Sequence, residues 1–358
     1  MWPASLYPHA APFRTHAFDV PGGHRLHVDE FGREDGLPAL VLHGGPGSGV
    51  SPLQRRFFDP ARYRVICPDQ RGAGRSTPPG DTAHNTTAHL LDDLVTLRAR
   101  LGVSRWLVVG GSWGATLAVL HAAAQPGAVS GLLLRSAFLA RPADIGAFFE
   151  GMDLTALAEV PDSADTAGVT GAAGLAGPSD APGRGDGHDP AEGPLAQLNA
   201  ALLSDDATRR RVAARCWWLH ELAASGRDTA EARAAGPREL DALVPRYRVQ
   251  GHSLARQCGL PAPLLDRATA VPPVPTLLLH GTDDRVCPPA GARALHAALP
   301  GSRLQWVPDC GHDLAHPGMV DAMVRALDRY ARHGRFGLTP GRRRAAAAIP
   351  QASTPSSA

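Results

Sequence analysis

Residues 108–120, VVGGSWGATLAVL, are the stretch from which the rest of this chain is interpreted. An apolar run ends in two glycines, a serine follows, and a helix-favouring series rich in alanine and leucine begins after Gly114. The pattern predicts a strand, a sharp turn and a helix, with Ser112 held at the turn in a strained conformation. Ser112 is then either a nucleophile raised above the end of a sheet or an incidental residue of a tight turn.

The composition of the chain excludes several classes of partner. At 358 residues the chain is long enough for one large domain with a smaller insertion. Its 36 basic and 34 acidic residues give a formal net charge of +2, which creates no field that attracts nucleic acid or a membrane surface. We therefore expect neither as a partner, and the sequence leaves the oligomeric state open.

The compartment is predicted from the apolar runs and the cysteines. No apolar run reaches the length of a membrane span, and residues 1–20 lack the apolar core of a signal peptide, so a cytoplasmic protein is predicted. An odd number of cysteines without a CxxC pair predicts free thiols and no zinc site. No metal or organic cofactor is implied. The cysteines are Cys67, Cys216, Cys258, Cys287 and Cys310.

Short apolar runs alternate with helical patterns in the two outer parts of the chain. Leucines at helical spacing predict a helix at 87–101, and an amphipathic pattern predicts a closing helix at 319–330. Such alternation predicts an α/β fold with a mostly parallel sheet covered on both faces, its first strand antiparallel and near an edge. The strands are predicted at 24–31, 38–42, 63–67, 106–109, 129–134, 275–280 and 303–307.

The middle of the chain has a different pattern. Residues 140–271 contain no comparable buried strand, so we predict a helical cap inserted into the sheet domain. Within it, segment 162–192 has too few large apolar residues to stay ordered. The sheet domain then comprises residues 1–139 and 272–333, followed by a flexible tail at 334–358. The cap helices are predicted at 196–203, 207–224 and 238–256.

A glycine-rich loop, HGGPGSG at 43–49, follows the predicted strand 38–42. Glycine and proline are common in any flexible loop, but in a sheet of this kind the loop after an early central strand supplies an amide to an oxyanion hole. Gly45 is the predicted donor, with Gly44 as the alternative. The amide of Trp113, directly after the serine, is the predicted second donor.

The turn PDQRGAGRS at 68–76 follows the predicted strand 63–67. Its charged residues lie beside the same sheet edge as the glycine-rich loop. We predict that Asp69 and Arg71 form an internal ion pair that stiffens this turn, which makes them structural rather than catalytic.

Two further polar residues each follow a predicted strand near the end of the chain. A serine nucleophile needs a base, and the base needs a group that orients it. Because parallel strands end at one edge of a sheet, Ser112, Asp284 and His312 are predicted to meet there as nucleophile, orienting acid and base. Asp283 is an alternative for the acid.

Together these motifs resemble the proline iminopeptidase family of serine aminopeptidases, and HGGPG with DQRG and GGSWG is the specific part of the match. The resemblance implies an α/β-hydrolase fold with Ser112 as nucleophile, Asp284 as acid and His312 as base, and with Cys287 near the pocket. The matching stretches are HGGPGSG (43–49), DQRGAGRS (69–76), NTTAHLLDDLVTLRARLG (85–102), GGSWGATLA (110–118), LLLRSAFLAR (132–141), HGTDDRVCPP (280–289) and CGHD (310–313).

The predicted cap resembles the family less closely. Its stretch LLSDDATRRRVAARCWWLHE resembles a family helix, which implies that Trp217 and Glu221 bind substrate, with Glu221 holding a free amino terminus. The second acid that the family carries in its cap is missing, because the corresponding stretch here is VPRYR at 244–248. Thr282 and Asp283 also stand where the family has Arg and Tyr.

Two enzyme functions follow from the resemblance. The first is an aminopeptidase that releases an N-terminal residue, preferably proline, from a small peptide through an acyl-enzyme on Ser112. The second is a related amidase or esterase that acts on an aminoacylated small metabolite, which the missing cap acid favours. A noncatalytic binding protein would have no need of the three side chains together.

Overall fold

One sheet joins the first and last parts of the chain. Within residues 6–160 and 193–337, which the computed structural model describes, eight strands form this sheet in the order 1-2-4-3-5-6-7-8. Strand 1 pairs with strand 2, and strand 2 with strand 4, in antiparallel fashion, and all other neighbours are parallel. The strands are β1 (Arg14–Val20), β2 (His24–Gly32), β3 (Leu37–Leu42), β4 (Tyr63–Pro68), β5 (Trp106–Gly111), β6 (Val129–Arg135), β7 (Thr276–Gly281) and β8 (Arg303–Val307).

The mostly parallel sheet predicted from the sequence is confirmed, and so is the antiparallel position of β2 beside an edge. The edge strand β1 is the strand that the sequence analysis missed. Its sequence, RTHAFDV, includes few large apolar side chains, and most of its seven residues are exposed or half-buried. β1 is held by backbone pairing with β2, which leaves little hydrophobic signal in the sequence.

The helices cover both faces of the sheet. The predicted helix at 87–101 is present and is capped by the Thr86 hydroxyl. No helix among the described residues is long and apolar enough to cross a membrane. The helices are α1 (Thr87–Arg100), α2 (Trp113–Ala124), α3 (Pro142–Phe149), α4 (Thr155–Ala158), α5 (Pro194–Leu203), α6 (Ala207–Ala224), α7 (Ala230–Ala234), α8 (Pro237–Ala255), α9 (Leu264–Ala268), α10 (Pro289–Ala298) and α11 (Pro317–His333).

The central strands are buried on both faces because their side chains alternate between two hydrophobic clusters. In β3, Leu40 and Leu42 belong to the cluster under α1 and α2, while Ala39 and Val41 belong to the cluster under α11. β5 alternates in the same way. Burial on both faces explains why these strands are continuous apolar runs in the sequence.

Seven helices, α3 to α9, lie between β6 and β7 in the described residues. The predicted helices 196–203, 207–224 and 238–256 correspond to α5, α6 and α8, with identical bounds for α6 and differences of at most two residues for the other two. The short helices α3, α4, α7 and α9 were not predicted, since each has too few turns to show a clear period. The predicted division into cap and sheet domain stays a prediction, and segment 162–192 lies outside the described residues.

The beginning of the predicted tail is corrected by the structure. Helix α11 ends at His333, and Gly334 follows with a positive φ of 63°, which suits a helix terminus. Phe336 then packs on Tyr330 and is 4% exposed, so the chain is still anchored beyond residue 334. Residues 338–358 lie outside the described part.

The predicted ion pair between Asp69 and Arg71 is wrong. Both side chains are buried, but Arg71 forms a bidentate ion pair with Asp93 of α1. Nε and Nη2 of Arg71 donate to the two carboxylate oxygens of Asp93 at 2.7 and 2.8 Å. Asp69 instead accepts hydrogen bonds from the backbone N–H groups of Val50 and Arg75. Each residue therefore ties its turn to a different neighbouring segment, which adjacency in the sequence does not reveal.

Candidate active site

Ser112 lies at the turn between β5 and α2. Its φ of 54° and ψ of −123° are a conformation that side-chain-bearing residues seldom adopt. A Cβ added at Gly110 would collide with the carbonyl of Gly114, and one added at Gly114 would collide with the carbonyl of Leu42. Both glycines are therefore needed for strand and helix to approach, and the turn holds Ser112 at the carboxyl end of the central strand.

Asp284 and His312 follow β7 and β8, and the structure brings them into contact. Nδ1 of His312 lies 3.0 Å from Asp284 Oδ2 and 3.1 Å from Oδ1. The same carboxylate accepts hydrogen bonds from the N–H groups of Cys287 at 2.8 Å and Val286 at 3.1 Å. The alternative acid, Asp283, has an exposed side chain. Geometry thus favours Asp284 as the partner of the imidazole.

The surroundings of Asp284 keep its carboxyl group ionised. Burial alone raises the pKa of Asp284, but the charge and hydrogen bond of His312 and the N–H of Cys287 lower this pKa by more, so the net shift is downward. Since an ionised carboxylate only accepts hydrogen bonds, Nδ1 of His312 carries the proton and donates it to Asp284. Nε2 of His312 is then left as the basic nitrogen.

A second histidine near Asp284 has a structural role. Nδ1 of His280 accepts a hydrogen bond from the N–H of Ala137 at 3.2 Å, so Nε2 donates to the carbonyl of Cys287 at 2.9 Å. Burial lowers the pKa of His280. A neutral His280 therefore fixes the loop that carries Asp284.

A cavity of about 340 Å³ opens beside Ser112. Ser112 and His312 both line it, and Ser112 Oγ lies 3.8 Å from the Sγ of Cys287, as expected for a thiol near the pocket. Among the described residues no hydrogen bond joins Ser112 to His312. In the same residues no group of three or more His, Cys, Asp or Glu side chains could hold a metal ion. The apolar wall of the cavity includes Phe138, Ile145, Phe148, Leu222 and Leu254.

The glycine-rich loop forms the wall of the cavity next to Ser112. Gly44 and Gly45 both line the cavity, and a Cβ added at Gly44 would lie 3.3 Å from the Cβ of Ser112. The amide of Trp113 is at the first position of α2, where helix N–H groups have no intrahelical partner. Both predicted oxyanion donors therefore belong to segments that meet at Ser112.

A buried hydrogen-bond chain connects these two segments. The N–H of Gln70 donates to His43 Nε2 at 2.9 Å, and the Gln70 side-chain amide donates to the carbonyl of His43 at 3.0 Å. The indole N–H of Trp113 donates to Gln70 Oε1 at 3.0 Å. Burial lowers the pKa of His43, so it acts as a neutral link. Gln70 thus joins the base of the loop to the residue after the nucleophile.

Arg135, at the end of β6, lies next to His312. Its guanidinium is buried, lines the cavity, and donates hydrogen bonds of 2.9 Å to the carbonyl of His312 and to Ser136 Oγ. Burial lowers the pKa of Arg135, while the charge of Asp284 opposes this shift. Arg135 therefore fixes the backbone of His312 and balances the charge of Asp284.

Glu221, on α6, also lines the cavity, but its carboxylate is already paired. Nη2 of Arg246, on α8, lies 2.6 Å from Glu221 Oε1 and 2.7 Å from Oε2. The phenol of Tyr247 donates a third hydrogen bond to Oε2 at 3.0 Å. The resemblance to the family implied a Glu221 free to bind an amino terminus, whereas in this structure an arginine of the same chain occupies it.

Trp217 does not line the cavity, which corrects its predicted contact with substrate. Its side chain is fully buried, stacked on Tyr247 and edge-on to Phe149, with centroid distances of 5.2 Å. The next residue, Trp218, lines the cavity together with Glu221. Since successive helical residues point about 100° apart, the WW pair puts one indole in the helix interface and the other in the cavity.

Two cavity residues of α8 were not predicted to be functional. Arg246 and Gln250 lie one turn apart and both line the cavity. Gln250 is 5% exposed, and its Oε1 has no hydrogen-bond partner among the described residues. The replacement of the family's acidic stretch by VPRYR was the available signal, but the sequence did not show that Arg246 reaches Glu221.

The sequence of this chain is similar to known families and proteins. Residues 38–167 match the family model for the alpha/beta hydrolase fold, and residues 257–339 match the model for TAP-like protein. The proline iminopeptidase of Xanthomonas citri is 35% identical over 340 residues, which covers 91% of this chain and 99% of that protein. The proline iminopeptidase of Arabidopsis thaliana is 33% identical, covering 91% of this chain and 82% of that protein.

Solved structures show the same fold at lower identity. A proline iminopeptidase-related protein from Thermus thermophilus has a TM-score of 0.54 at 21% identity, covering 89% of this chain and 99% of that one. An esterase from Rhodococcus has a TM-score of 0.55 at 19% identity, covering 93% of this chain and all of the other. Given the identity and coverage of its sequence relatives, this chain belongs to the proline iminopeptidase family and has the α/β-hydrolase fold.

Proposed function

We propose that this hydrolase releases an N-terminal residue, preferably proline, from small peptides through a Ser112, His312 and Asp284 triad. The observation that carries the proposal is the Asp284 to His312 contact in the cavity where the strained turn holds Ser112. The Thermus and Rhodococcus structures support the fold alone, while the curated relatives support the aminopeptidase activity. A cytoplasmic location remains a prediction from the sequence.

The mechanism is acyl transfer in two stages. The Ser112 hydroxyl turns from Cys287 towards His312, loses its proton to Nε2 and attacks the substrate carbonyl. Asp284 keeps the imidazole oriented and stabilises its protonated form. His312 then donates the proton to the leaving amine, which departs and leaves an ester on Ser112. Water, deprotonated by His312, attacks that ester, releasing the residue and restoring the serine.

The oxyanion of each tetrahedral intermediate is proposed to accept hydrogen bonds from the amides of Gly45 and Trp113. One such donor typically contributes about 10²- to 10³-fold to turnover, because it is aligned before charge develops. The chain of hydrogen bonds through Gln70 supports this alignment, since it fixes both segments relative to each other.

On the side of the cavity formed by α6 and α8, which we call the cap side, Glu221 is the residue that the family resemblance assigns to the amino group of the substrate. Glu221 lines the same cavity as Ser112. Its pairing with Arg246 favours a second candidate function, an amidase or esterase acting on an aminoacylated small metabolite. The cavity of about 340 Å³ suits a small acyl group in either case.

Turnover of prolyl and alanyl 4-nitroanilides tests the proposal. We expect wild-type release of nitroaniline and a loss of about 10⁴-fold or more in Ser112→Ala, because the nucleophile is removed. A fluorophosphonate probe should label wild-type protein at Ser112 and leave the variant unlabelled. Ser104→Ala, which changes an exposed serine far from the cavity, should behave as wild type. Equal turnover by Ser112→Ala would reject the proposal.

A further inference from the structure

The two charged side chains on the cap side of the cavity, Glu221 and Arg246, neutralise each other. Glu221 and Arg246 are 23% and 26% exposed at their side chains, so their ion pair is partly shielded from water. Tyr247 adds a hydrogen bond to the same carboxylate, and the Arg246 guanidinium lies 5.1 Å from its ring. A pair with this degree of burial and additional hydrogen bonding is worth more than an exposed one.

A substrate ammonium would compete with this arrangement. To reach Glu221 it would either displace Arg246, leaving a guanidinium without its carboxylate, or lie next to a like charge. Within the part of the chain that the structure describes, the other charged side chains that line the cavity are Arg135, Arg227 and Asp313. Cationic side chains therefore outnumber anionic ones, and the cavity offers no unpaired carboxylate on α6 or α8.

Gln250 provides a neutral contact in the same place. It lies one helical turn after Arg246, it is buried, and its Oε1 has no partner among the described residues. An unpaired amide oxygen favours a ligand that donates an N–H or O–H to it. The amide N–H of an N-acylated residue can donate to this oxygen without placing a second positive charge next to Arg246.

We propose that Arg246 sets the acyl-side specificity by holding Glu221, so that the enzyme accepts acyl groups without an ammonium as readily as free amino-terminal residues. The inference rests on the proposed function, because it assigns the substrate class of the Ser112 site. It makes Arg246 a specificity-determining residue, and it places Gln250 beside the neutral polar part of the acyl group.

Matched substrates test this specificity. Prolyl and cyclopentanecarbonyl 4-nitroanilides share ring size and leaving group, and only the first carries an ammonium. We expect their kcat/KM values in the wild-type enzyme to agree within about tenfold, with N-acetylalanyl 4-nitroanilide also cleaved. Arg246→Met frees Glu221 and should raise the ratio of prolyl to cyclopentanecarbonyl kcat/KM by about tenfold or more, mainly through a lower KM for the prolyl substrate.

Two control variants separate charge from shape. Arg246→Lys keeps the positive charge and should leave the ratio near the wild-type value. Arg248→Met removes another arginine of the same helix and should leave the ratio unchanged, because Arg248 lines a separate groove with Asn199 and His252. A wild-type preference for the prolyl substrate above about a hundredfold would overturn the proposal even if Arg246→Met does not fold. An unchanged ratio in a folded Arg246→Met would overturn it as well.

A binding measurement distinguishes this inference from the proposed function. Calorimetry with L-prolinamide and cyclopentanecarboxamide in the Ser112→Ala variant reports the acyl site without turnover. Comparable affinities in Ser112→Ala, with a shift of about tenfold towards prolinamide when Arg246→Met is added, support the role of Arg246 even if no nitroanilide is cleaved by the wild type. Strong preference of Ser112→Ala for prolinamide contradicts that role even if Ser112 is confirmed as the nucleophile.

Discussion

The sheet edge and the cap side of the cavity are held in place by different kinds of interaction. At the sheet edge, backbone geometry and close contacts between main-chain atoms determine where Ser112 lies. On the cap side, one ion pair and an aromatic stack between α6 and α8 determine what Glu221 can bind. The position of Ser112 thus follows from the path of the chain, whereas we propose that the choice of acyl group depends on side chains that one substitution can change.

The largest expected effect tests the sheet edge. Asp284→Asn should lower kcat by about 10⁴-fold, since the neutral amide no longer fixes the imidazole tautomer or stabilises its charged form. Turnover of a 4-nitroanilide measures this loss. Asp283→Asn, at the exposed neighbouring position, should stay within about twofold of wild type. The reverse result would show that Asp283 is the orienting acid.

Asp284 should also affect stability in a pH-dependent way. Its pKa is lowered in the folded protein, so its contribution to stability is present above the ordinary aspartate pKa of about 3.9 and is lost as pH falls towards the folded value. Urea unfolding of wild type and Asp284→Asn should therefore show a difference in unfolding free energy that is constant from about pH 5 to 7 and shrinks below about pH 4. A difference that grows with acidification would contradict this sign.

The two adjacent tryptophans test the cap side. Trp217→Ala should lower the free energy of unfolding by about 3–5 kcal/mol, because it leaves a cavity against Tyr247 and Phe149. Trp218→Ala should cost less stability and raise KM, because Trp218 is half-buried and lines the cavity. Chemical denaturation and steady-state kinetics on both variants measure the two effects. Equal destabilisation by the two substitutions would mean that α6 does not turn Trp217 into the helix interface and Trp218 into the cavity.

The smallest expected effect tests the close contacts at the turn. Gly114→Ala places a Cβ against the carbonyl of Leu42 and should lower the free energy of unfolding by about 1–3 kcal/mol, with a further loss of turnover as Ser112 shifts. Gly127→Ala is the matched control, because nothing lies within 4 Å of its added Cβ. It should change stability by less than about 0.5 kcal/mol.

The sequence was sufficient for the features that depend on local geometry. The glycines around Ser112 and the doubly buried apolar runs predicted the turn and seven of the strands, and chain order placed Asp284 and His312 at one sheet edge. It was insufficient where a contact joins distant segments. The Arg71 to Asp93 pair, the Arg246 to Glu221 pair and the inward rotation of Trp217 depend on how helices pack, which neither spacing nor local pattern encodes.

The link through Gln70 has a consequence for substitutions on α6 and α8. Gln70 joins His43 to Trp113 by hydrogen bonds that involve no side chain of either helix. A change of side chain at Arg246 or Gln250 therefore leaves intact the hydrogen bonds that hold the glycine-rich loop against Trp113.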